Sequence, residues 1–432
     1  MTQIKTFRNK LAAGEYDARL RYVYCREAAA DLSDCHARLE RVVAGGMETF
    51  GWKEDREMII CSAPGRTELG GNHTDHQRGK VFTGSVDLDA IACVTENGTD
   101  KIRILSEGYG MTEIDCGDLG KKAEEENTTA SLIRGVAACI REKGYPIAGF
   151  DAYVTSDVPG GSGLSSSACI EILLGVMMNS LFCGGAIPAA ELAKIGQVAE
   201  NVYFGKPSGL LDQMGCAMGG MIAIDFRDKD HPDYHQVDYD FMKSGYALCI
   251  VDTGADHADL TPDYAAVPAE MKAVAAYFGK EVLCEVPEAD FMAAVPEIRK
   301  QTGDRAIMRA IHFYTDCRRV DRMVEALERG DFEAYLHEVS SSGHSSFMFL
   351  QNIAAWRDPK DQPVALALAM AGRYLDGRGA RRVHGGGFAG TIQAYVPEDR
   401  VEYFRSGMDA LLGEGACRVT KIRPVGGCIL ID

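Results

Sequence analysis

A loop rich in glycine and serine constrains the fold of this chain more than any other feature. Residues 159–168 read Pro-Gly-Gly-Ser-Gly-Leu-Ser-Ser-Ser-Ala and stand between a run of β-branched residues and an apolar segment of helical character. Glycine lets the backbone approach an anion, and the N–H groups of a first helical turn favour negative charge. The loop therefore predicts a strand, a phosphate-binding turn and a helix in succession.

Two common nucleotide motifs do not describe this loop. No G-x-x-x-x-G-K-[ST] pattern occurs in the chain, and no G-x-G-x-x-G follows a predicted strand. The serine hydroxyls could bind phosphate oxygens or a magnesium ion. Taken alone, an ordinary strand-to-helix connection with an N-cap serine would explain the same residues.

The rest of the chain mixes strands and helices in two cycles. Between residues 58 and 240, short runs rich in β-branched residues alternate with helical stretches, and strands bracket helices again in residues 241–432. We expect an α+β protein of two domains, 1–240 and 241–432, around a shared cleft. Residues 1–38 have apolar positions at helical spacing and are expected to form a helical extension.

Composition excludes several classes of protein. Lys and Arg number 46 and Asp and Glu 63, a net charge of −17, which repels the phosphate backbone of a nucleic acid. The N-terminus has no apolar signal segment, and charged or polar residues interrupt the most apolar stretch, so we expect neither secretion nor a membrane span. The 14 cysteines form no C-x-x-C pair, which indicates reduced core thiols and a cytoplasmic protein.

Two further clusters hold chemically active side chains. In residues 64–76, His73, Asp75 and His76 could bind a metal, but hydrogen bonding to a polyhydroxylated substrate fits this polar loop better. Residues 199–213 carry Glu200 and Asp212. An aspartate in apolar company, as Asp212 is, serves either as a capped structural residue or as a base.

Two other segments are less specific. Residues 385–390 read Gly-Gly-Gly-Phe-Ala-Gly, which indicates close backbone packing or a second wall for a ligand. Asp252, Asp256, His257 and Asp259 could be metal ligands, but they follow a predicted strand, where a solvated loop explains them, and we assign them no function.

Taken in order and spacing, these clusters resemble the signatures of the GHMP small-molecule kinases and, within them, of the galactokinases. The sugar-binding signature corresponds to residues 64–79, the phosphate loop to 159–168, the A-E-x-x-x-x-G-x-P-x-G-x-x-D-Q segment to 199–213 and the glycine motif to 385–390. The resemblance spans roughly Leu39 to the C-terminus. It implies an N-terminal domain with a mixed sheet, a C-terminal α+β domain of the ferredoxin-like kind, and an active site in the cleft between them.

The resemblance also implies a role for each matching residue. Asp212 corresponds to the catalytic carboxylate that takes the proton of the anomeric hydroxyl, and Arg66 to an arginine that stabilises charge beside it. Ser167 and Glu200 correspond to magnesium ligands, and their hard oxygens suit that ion. The implied sugar-binding residues are Asn72, His73, Asp75, Gly209 and Tyr264, and the implied ATP-binding residues are Gly161, Gly163, Leu164, Ser165, Ser166 and Ser167.

The implied activity is a sugar 1-kinase that uses ATP and Mg²⁺, with galactose as the first choice of substrate. We expect a small-molecule sugar as partner and a monomer, with a dimer as the alternative. The alternative function is a regulator that binds sugar and ATP without turnover. Such a regulator would be expected to lose a catalytic residue, whereas this chain keeps Arg66, Glu200, Asp212 and the three serines.

The sugar-binding signature departs from the usual G-R-x-N-x-I-G-E-H-T-D-Y. Glu68, Gly70, Asn72 and His76 stand at the Asn, Ile, Glu and Tyr positions. In the family the glutamate contacts the C6 hydroxyl of the sugar, and an asparagine there no longer repels an anion. The string His-Thr-Asp-His-Gln also resembles plant galacturonokinases. Galacturonate or another hexose-type sugar is therefore the alternative substrate.

Overall fold

The computed structural model describes residues 1–161, 163–229, 231–255, 260–355 and 359–432. Asp256, His257 and Asp259, to which we assign no function, lie outside the described residues. The helices and strands are, in chain order, β1 (Thr2–Gln3), α1 (Ile4–Ala12), α2 (Asp17–Val23), α3 (Ser33–Phe50), β2 (Glu57–Gly70), β3 (Lys80–Glu96), β4 (Lys101–Ser106), β5 (Met111–Asp115), α4 (Thr129–Glu142), β6 (Phe150–Ser156), α5 (Ser166–Phe182), α6 (Ala189–Val198), α7 (Leu211–Met218), β7 (Met221–Asp225), β8 (Asp233–Val237), β9 (Tyr246–Asp252), α8 (Thr261–Tyr277), α9 (Glu288–Thr302), α10 (Asp304–Glu328), α11 (Phe332–Ser345), α12 (Pro363–Leu375), β10 (Ala380–His384), β11 (Thr391–Pro397), α13 (Val401–Leu412), β12 (Cys417–Thr420) and β13 (Cys428–Ile431). Helix α6 continues into a π-helical turn, Ala199–Phe204, and α11 into another, Ser346–Leu350.

The first sheet is built on a long antiparallel hairpin of β2 and β3. Its strands lie in the order β1-β2-β3-β6-β4-β5, while β13 also pairs with β2 and β7 joins β3 to β8. Strands β4 and β6 are parallel and the other pairs are antiparallel, which makes this a mixed sheet. The register of β2 against β3 shifts between Pro64 and Arg66. Such a bulge bends a strand and redirects its side chains.

Alternate residues of β2 face two different helical layers. Ile59, Cys61 and Ala63 pack in a core with helices α4, α5, α6 and α7. Met58 and Ile60 point the other way, into a core with α1, α2 and α3. This period of two is the pattern of a strand buried on both faces. The N-terminal helices thus cover one apolar face of the first sheet.

The second sheet has four antiparallel strands in the order β10-β11-β9-β12. Helices α12 and α13 pack on one face of it, and α10 and α11 pack between the two sheets. Helices α8, α9 and α10 share a separate core. Two sheets with helices segregated around them confirm the predicted α+β architecture.

The two sheets are connected at the C-terminus of the chain. After β12 in the second sheet, the chain returns to the first sheet, where Cys428 of β13 pairs with Ser62 of β2. The domain boundary predicted near Asp240 stays a prediction, and the structure adds that the last strand lies with the N-terminal elements. This strand was not predicted from the sequence.

All 14 cysteines are free, and ten of them are buried. Burial raises the pKa of the Cys169 thiol to about 12, so this side chain stays a neutral thiol that packs as a small apolar group. Among the described residues, no helix combines the length and the apolar character needed to cross a membrane.

Candidate active site

Arg66 lies at the bulge of β2 and connects three predicted site segments. Its backbone N–H donates to the carbonyl of Leu164 at 3.0 Å, and its Nη1 donates to the carbonyl of Gly163. Its Nε donates to Oδ1 of Asp212 at 2.7 Å, and Nη2 lies 2.6 Å from the same oxygen. A Cβ at Gly65 would lie 2.9 Å from the Leu164 carbonyl, so only glycine fits beside the loop here.

Asp212 is the second residue of helix α7 and is held at both carboxylate oxygens. While Arg66 binds Oδ1, the hydroxyl of Ser165 donates to Oδ2. The Asp212 side chain is still 36% exposed, whereas that of Arg66 is 8% exposed. The carboxylate therefore has a fixed direction and remains open to a substrate.

The phosphate loop has the predicted arrangement of a turn followed by a helix. Gly161 and Gly163 have positive φ, and Ser165 also lies in the left-handed region with φ 57°. Ser166 and Ser167 are the first two residues of α5. Leu164 is buried, so its side chain belongs to the core and only its backbone faces the site.

Ser167 and Glu200, the predicted magnesium ligands, lie within hydrogen-bond distance of each other. The Ser167 hydroxyl donates to Oε1 of Glu200 at 3.3 Å, and Lys206 Nζ donates to the same oxygen at 2.9 Å. Oε2 accepts from Ser208 at 2.5 Å and from Gln213 at 2.9 Å. The Glu200 side chain is 3% exposed, so this charged carboxylate is buried among donors and one cation.

A second acidic side chain lies behind Glu200. Gln213 Nε2 bridges the two groups, 2.9 Å from an oxygen of Glu171 and 2.9 Å from one of Glu200. Burial, reinforced by the charge of Glu200, raises the pKa of Glu171 to about 8. The raised pKa favours the neutral form of the Glu171 carboxyl.

Three of the predicted sugar-binding side chains bind successive carbonyls of the glycine motif. Asn72 Nδ2 donates to Gly385 at 2.7 Å, His73 Nε2 lies 2.8 Å from the carbonyl of Gly386, and the Tyr264 hydroxyl donates to Gly387 at 2.6 Å. These bonds join the loop after β2, helix α8 and the segment between β10 and β11.

The structure does not place Asn72 as a direct sugar contact. Asn72 is fully buried, its Nδ2 also donates to Glu68 Oε1 at 3.0 Å, and its Oδ1 accepts from Asn352 at 2.8 Å and Ser346 at 3.2 Å. Protein groups already use its polar atoms, so this geometry gives no support to a sugar contact by Asn72, which stays a prediction. It positions the loop that carries His73 and Asp75.

Asp75 and Gly209 do lie together. A Cβ at Gly209 would lie 2.7 Å from Oδ2 of Asp75, which shows how closely the backbone approaches this carboxylate. Burial raises the pKa of Asp75, and the charge of Asp212 acts in the same direction. The two aspartates therefore lie near enough for the charge of Asp212 to act on Asp75.

Glu68 and Arg382 form a buried ion pair next to this site. Arg382 Nη2 donates to Oε1 of Glu68 at 2.5 Å, and both side chains are almost without exposure. Burial raises the pKa of Glu68, although the charge of Arg382 opposes this. The pair joins β2 of the first sheet to β10 of the second.

A cavity of about 370 Å³ lies beside the phosphate loop. Ser166, Ser167 and Gly160 line one end of it, and Ser106 and Tyr109 line another part. Its walls come from β4, β5, β6, α4, α5 and the loops between them, and no sequence pattern indicated it. Its size suits one planar base of a nucleotide.

Two family descriptions match this chain. The family described as GHMP kinases N terminal domain matches residues 131–220, and the one described as Galactokinase galactose-binding signature matches residues 47–96. A galactokinase of Streptomyces coelicolor is 32% identical over 376 residues, which are 85% of this chain and 93% of that protein. The chain belongs to the galactokinase family.

Further comparisons agree with this membership. A galactokinase of Streptomyces lividans is 32% identical over 78% of this chain and 82% of its own length. The solved structure of Lactococcus lactis galactokinase complexed with galactose has a TM-score of 0.76 at 25% identity and covers 90% of this chain and 99% of that one. A mevalonate kinase structure, TM-score 0.60 at 14% identity over 84% of this chain and 99% of that one, shares the fold.

The sequence analysis missed several residues of this galactokinase-family site. Lys206, Ser208 and Gln213 surround Glu200, and the first two stand in the short loop between the two acidic positions that the sequence singled out. Their proximity to Glu200 in the chain was a usable signal. No sequence signal indicated Asn352, because it is 280 residues away from its hydrogen-bond partner Asn72. Among the described residues, no group of three His, Cys, Asp or Glu is placed to hold a metal ion.

Proposed function

We propose that this protein transfers the γ-phosphoryl group of ATP to the anomeric hydroxyl of galactose. The observation that carries the proposal is the position of Asp212 beside the phosphate loop, where Arg66 and Ser165 fix its carboxylate. A base must lie where the nucleophile meets the phosphoryl donor, and the contacts of this carboxylate with the phosphate loop support that role for Asp212.

The nucleotide would lie along the phosphate loop. The backbone of Gly161 and Gly163 and the N-terminus of α5 would bind its phosphates, with the hydroxyl of Ser166 at the same turn. The cavity lined by Tyr109 and Ser106 would hold the base. Ser165 differs from the other implied ATP ligands. Its hydroxyl donates to Asp212, so Ser165 would also orient the catalytic carboxylate.

The donor set of Ser167 and Glu200 fits Mg²⁺. Both side chains supply hard oxygens, and the Ser167 hydroxyl bonds Oε1 of Glu200. The ammonium of Lys206 binds the same oxygen, so this position already accepts a cation. When bound, Mg²⁺ would neutralise charge on the phosphate groups of ATP. The raised pKa of Glu171 favours its neutral form, which would keep a second negative charge away from this position.

Asp212 would act on the sugar. It takes the proton of the anomeric hydroxyl while that oxygen forms a bond to the γ-phosphorus, and the bond from this phosphorus to the bridging oxygen of ATP breaks to release ADP. Arg66 stabilises the negative charge beside the reacting groups. Asp75 would accept hydrogen bonds from sugar hydroxyls, and Gly209 would leave room for the sugar ring.

The alternative substrate, galacturonate, rested on Asn72 and on the His-Thr-Asp-His-Gln string of residues 73–77. Since Asn72 is buried and uses its polar atoms on protein groups, it offers no contact to a C6 carboxylate. Galactose is therefore the substrate we propose, and galacturonate becomes an outcome of the assay. A cytoplasmic location and a monomeric state stay predictions.

The testing experiment is an ADP-release assay with ATP and Mg²⁺ against galactose, galacturonate, glucose, arabinose and N-acetylgalactosamine. The Asp212→Asn variant is the matched control. Preferential release with galactose, lost in the variant, would support the proposal. Preference for galacturonate would show that galacturonate and not galactose is the substrate. No release of ADP with any of these sugars would contradict the proposed activity.

A further inference from the structure

Lys206 occupies a position for which the sequence assigned no role. Its ammonium donates to Oε1 of Glu200 at 2.9 Å, the oxygen that also accepts from Ser167. The Glu200 side chain is 3% exposed but that of Lys206 is 58% exposed. A largely exposed cation therefore binds the Glu200 oxygen that also accepts from Ser167, the other proposed magnesium ligand.

The backbone holds Lys206 over this carboxylate. The π-helical turn Ala199–Phe204 ends at Gly205, whose φ is 89°, and the N–H groups of Gly205 and Lys206 both donate to the carbonyl of Glu200, at 3.0 and 3.1 Å. The chain thus folds back on Glu200 immediately after leaving the helix. Ser208 continues the same loop and bonds the other carboxylate oxygen.

The four donors to Glu200 are not equivalent. Ser208 and Gln213 bond Oε2, and Gln213 is buried in the core. On Oε1, Ser167 is fixed as the second residue of α5. Lys206 is the donor whose side chain can leave into solvent at small cost, because more than half of it is already exposed.

We propose that Lys206 is a positioning residue that competes with the divalent cation for Glu200 when no nucleotide is bound and moves to the phosphate oxygens when the metal nucleotide enters. This inference rests on the proposed function, since it takes Glu200 as a metal ligand. Two cations cannot share one carboxylate oxygen without strong repulsion, so metal entry requires that Lys206 leaves. The anionic phosphates then supply the nearest new partner for the ammonium.

The experiment is a titration of the protein with Mn²⁺, followed by electron paramagnetic resonance of the free ion, without nucleotide or sugar. Lys206→Met should bind Mn²⁺ about tenfold more tightly than the wild type, the size of effect expected for loss of one charged hydrogen bond. Lys206→Arg should resemble the wild type, and Glu200→Gln should lose the site. Lys143→Met, which breaks an exposed pair with Glu191, is the matched control and should change nothing.

A second titration in the presence of ADP should remove or reverse the advantage of Lys206→Met, because the ammonium then binds phosphate. Equal Mn²⁺ affinity of the wild type and Lys206→Met without nucleotide would overturn the inference, whatever the sugar assay shows. Conversely, tighter Mn²⁺ binding in an enzyme that phosphorylates no sugar would support the competition and contradict the proposed function alone.

Discussion

Arg66 binds one carboxylate oxygen of Asp212 with two of its nitrogens, Nε at 2.7 Å and Nη2 at 2.6 Å, and leaves the other oxygen to Ser165. Both partners come from outside helix α7: Arg66 from the bulge in β2 and Ser165 from the phosphate loop. The direction of the proposed base thus depends on contacts between distant parts of the chain.

Asp212→Asn should lower kcat by about 10²- to 10⁴-fold, the usual range for loss of a positioned base, because an amide accepts no proton from the anomeric hydroxyl. Affinity for ADP should stay near that of the wild type, since no phosphate-loop group is removed. Initial rates and calorimetric ADP binding measure the two effects. Wild-type turnover in this variant would show that the base is another residue.

Gly209→Ala should weaken sugar binding. The new Cβ would lie 2.7 Å from Oδ2 of Asp75, and Gly209 has no positive φ, so the effect is steric displacement of the carboxylate. A shift of this size can reduce kcat/KM for the sugar by up to about 100-fold, while the KM for ATP stays unchanged. Gly120→Ala, where a Cβ meets only an ordinary contact, is the control. An unchanged sugar KM would remove Asp75 from the site.

Asn72→Glu should destabilise the protein by about 3 kcal/mol, because it sets a second buried carboxylate against Glu68 and the Gly385 carbonyl. Use of galactose and galacturonate should fall together, since the loop with His73 and Asp75 moves. Thermal unfolding and the two substrate assays measure this. Selective loss of galacturonate in a stable variant would instead indicate direct contact with the substrate.

The double variant Glu68→Asn with Asn72→Glu tests the interaction between these two side chains by exchanging them. The family pattern has Asn and Glu at these two positions, and this chain has them in the opposite order. The double variant restores one carboxylate and one amide, so it should recover at least about 1 kcal/mol relative to the sum of the single changes. Strict additivity would mean that the hydrogen bond between Glu68 and Asn72 contributes nothing.

Asp89→Asn should lower the free energy of unfolding by about 3–5 kcal/mol, because it leaves two arginines without their buried counter-charge. Oδ2 of Asp89 accepts from Tyr24 and Arg423, each at 2.9 Å, and Arg38 binds Oδ1. Denaturant unfolding with and without the substitution measures the effect. Asp157→Asn, at the exposed carboxylate 3.0 Å from Arg38, should change little.

The buried contacts of Asp89 with Arg38 and Arg423 also predict that the free energy of unfolding depends on pH. Burial raises the pKa of Asp89, but Arg38 and Arg423 outweigh it and lower the pKa below the usual aspartate value. A carboxyl whose pKa is lower in the folded state contributes its full stabilisation above about pH 4. That contribution is lost as the pH falls through the pKa of the folded state. The difference in stability between the wild type and Asp89→Asn should therefore shrink below about pH 4. A constant difference down to pH 2 would contradict this.

Local patterns were enough to predict the elements around the site. The glycines and serines of residues 159–168 indicated a turn followed by a helix, and Ser166 and Ser167 do begin α5. The spacing of Glu200 and Asp212 indicated two acidic positions near one loop. These features are readable because capping, helix periodicity and glycine conformations act over only a few residues.

The sequence by itself determined the family, the mixture of two sheets with helices, and the kinds of side chain present at the site. The tertiary structure decided which of those side chains are free to act. Asn72, His73 and Tyr264 bind the carbonyls of Gly385, Gly386 and Gly387, more than 120 residues away in each case. A hydrogen bond between distant segments depends on the packing of whole sheets, and short-range patterns carry no information about it.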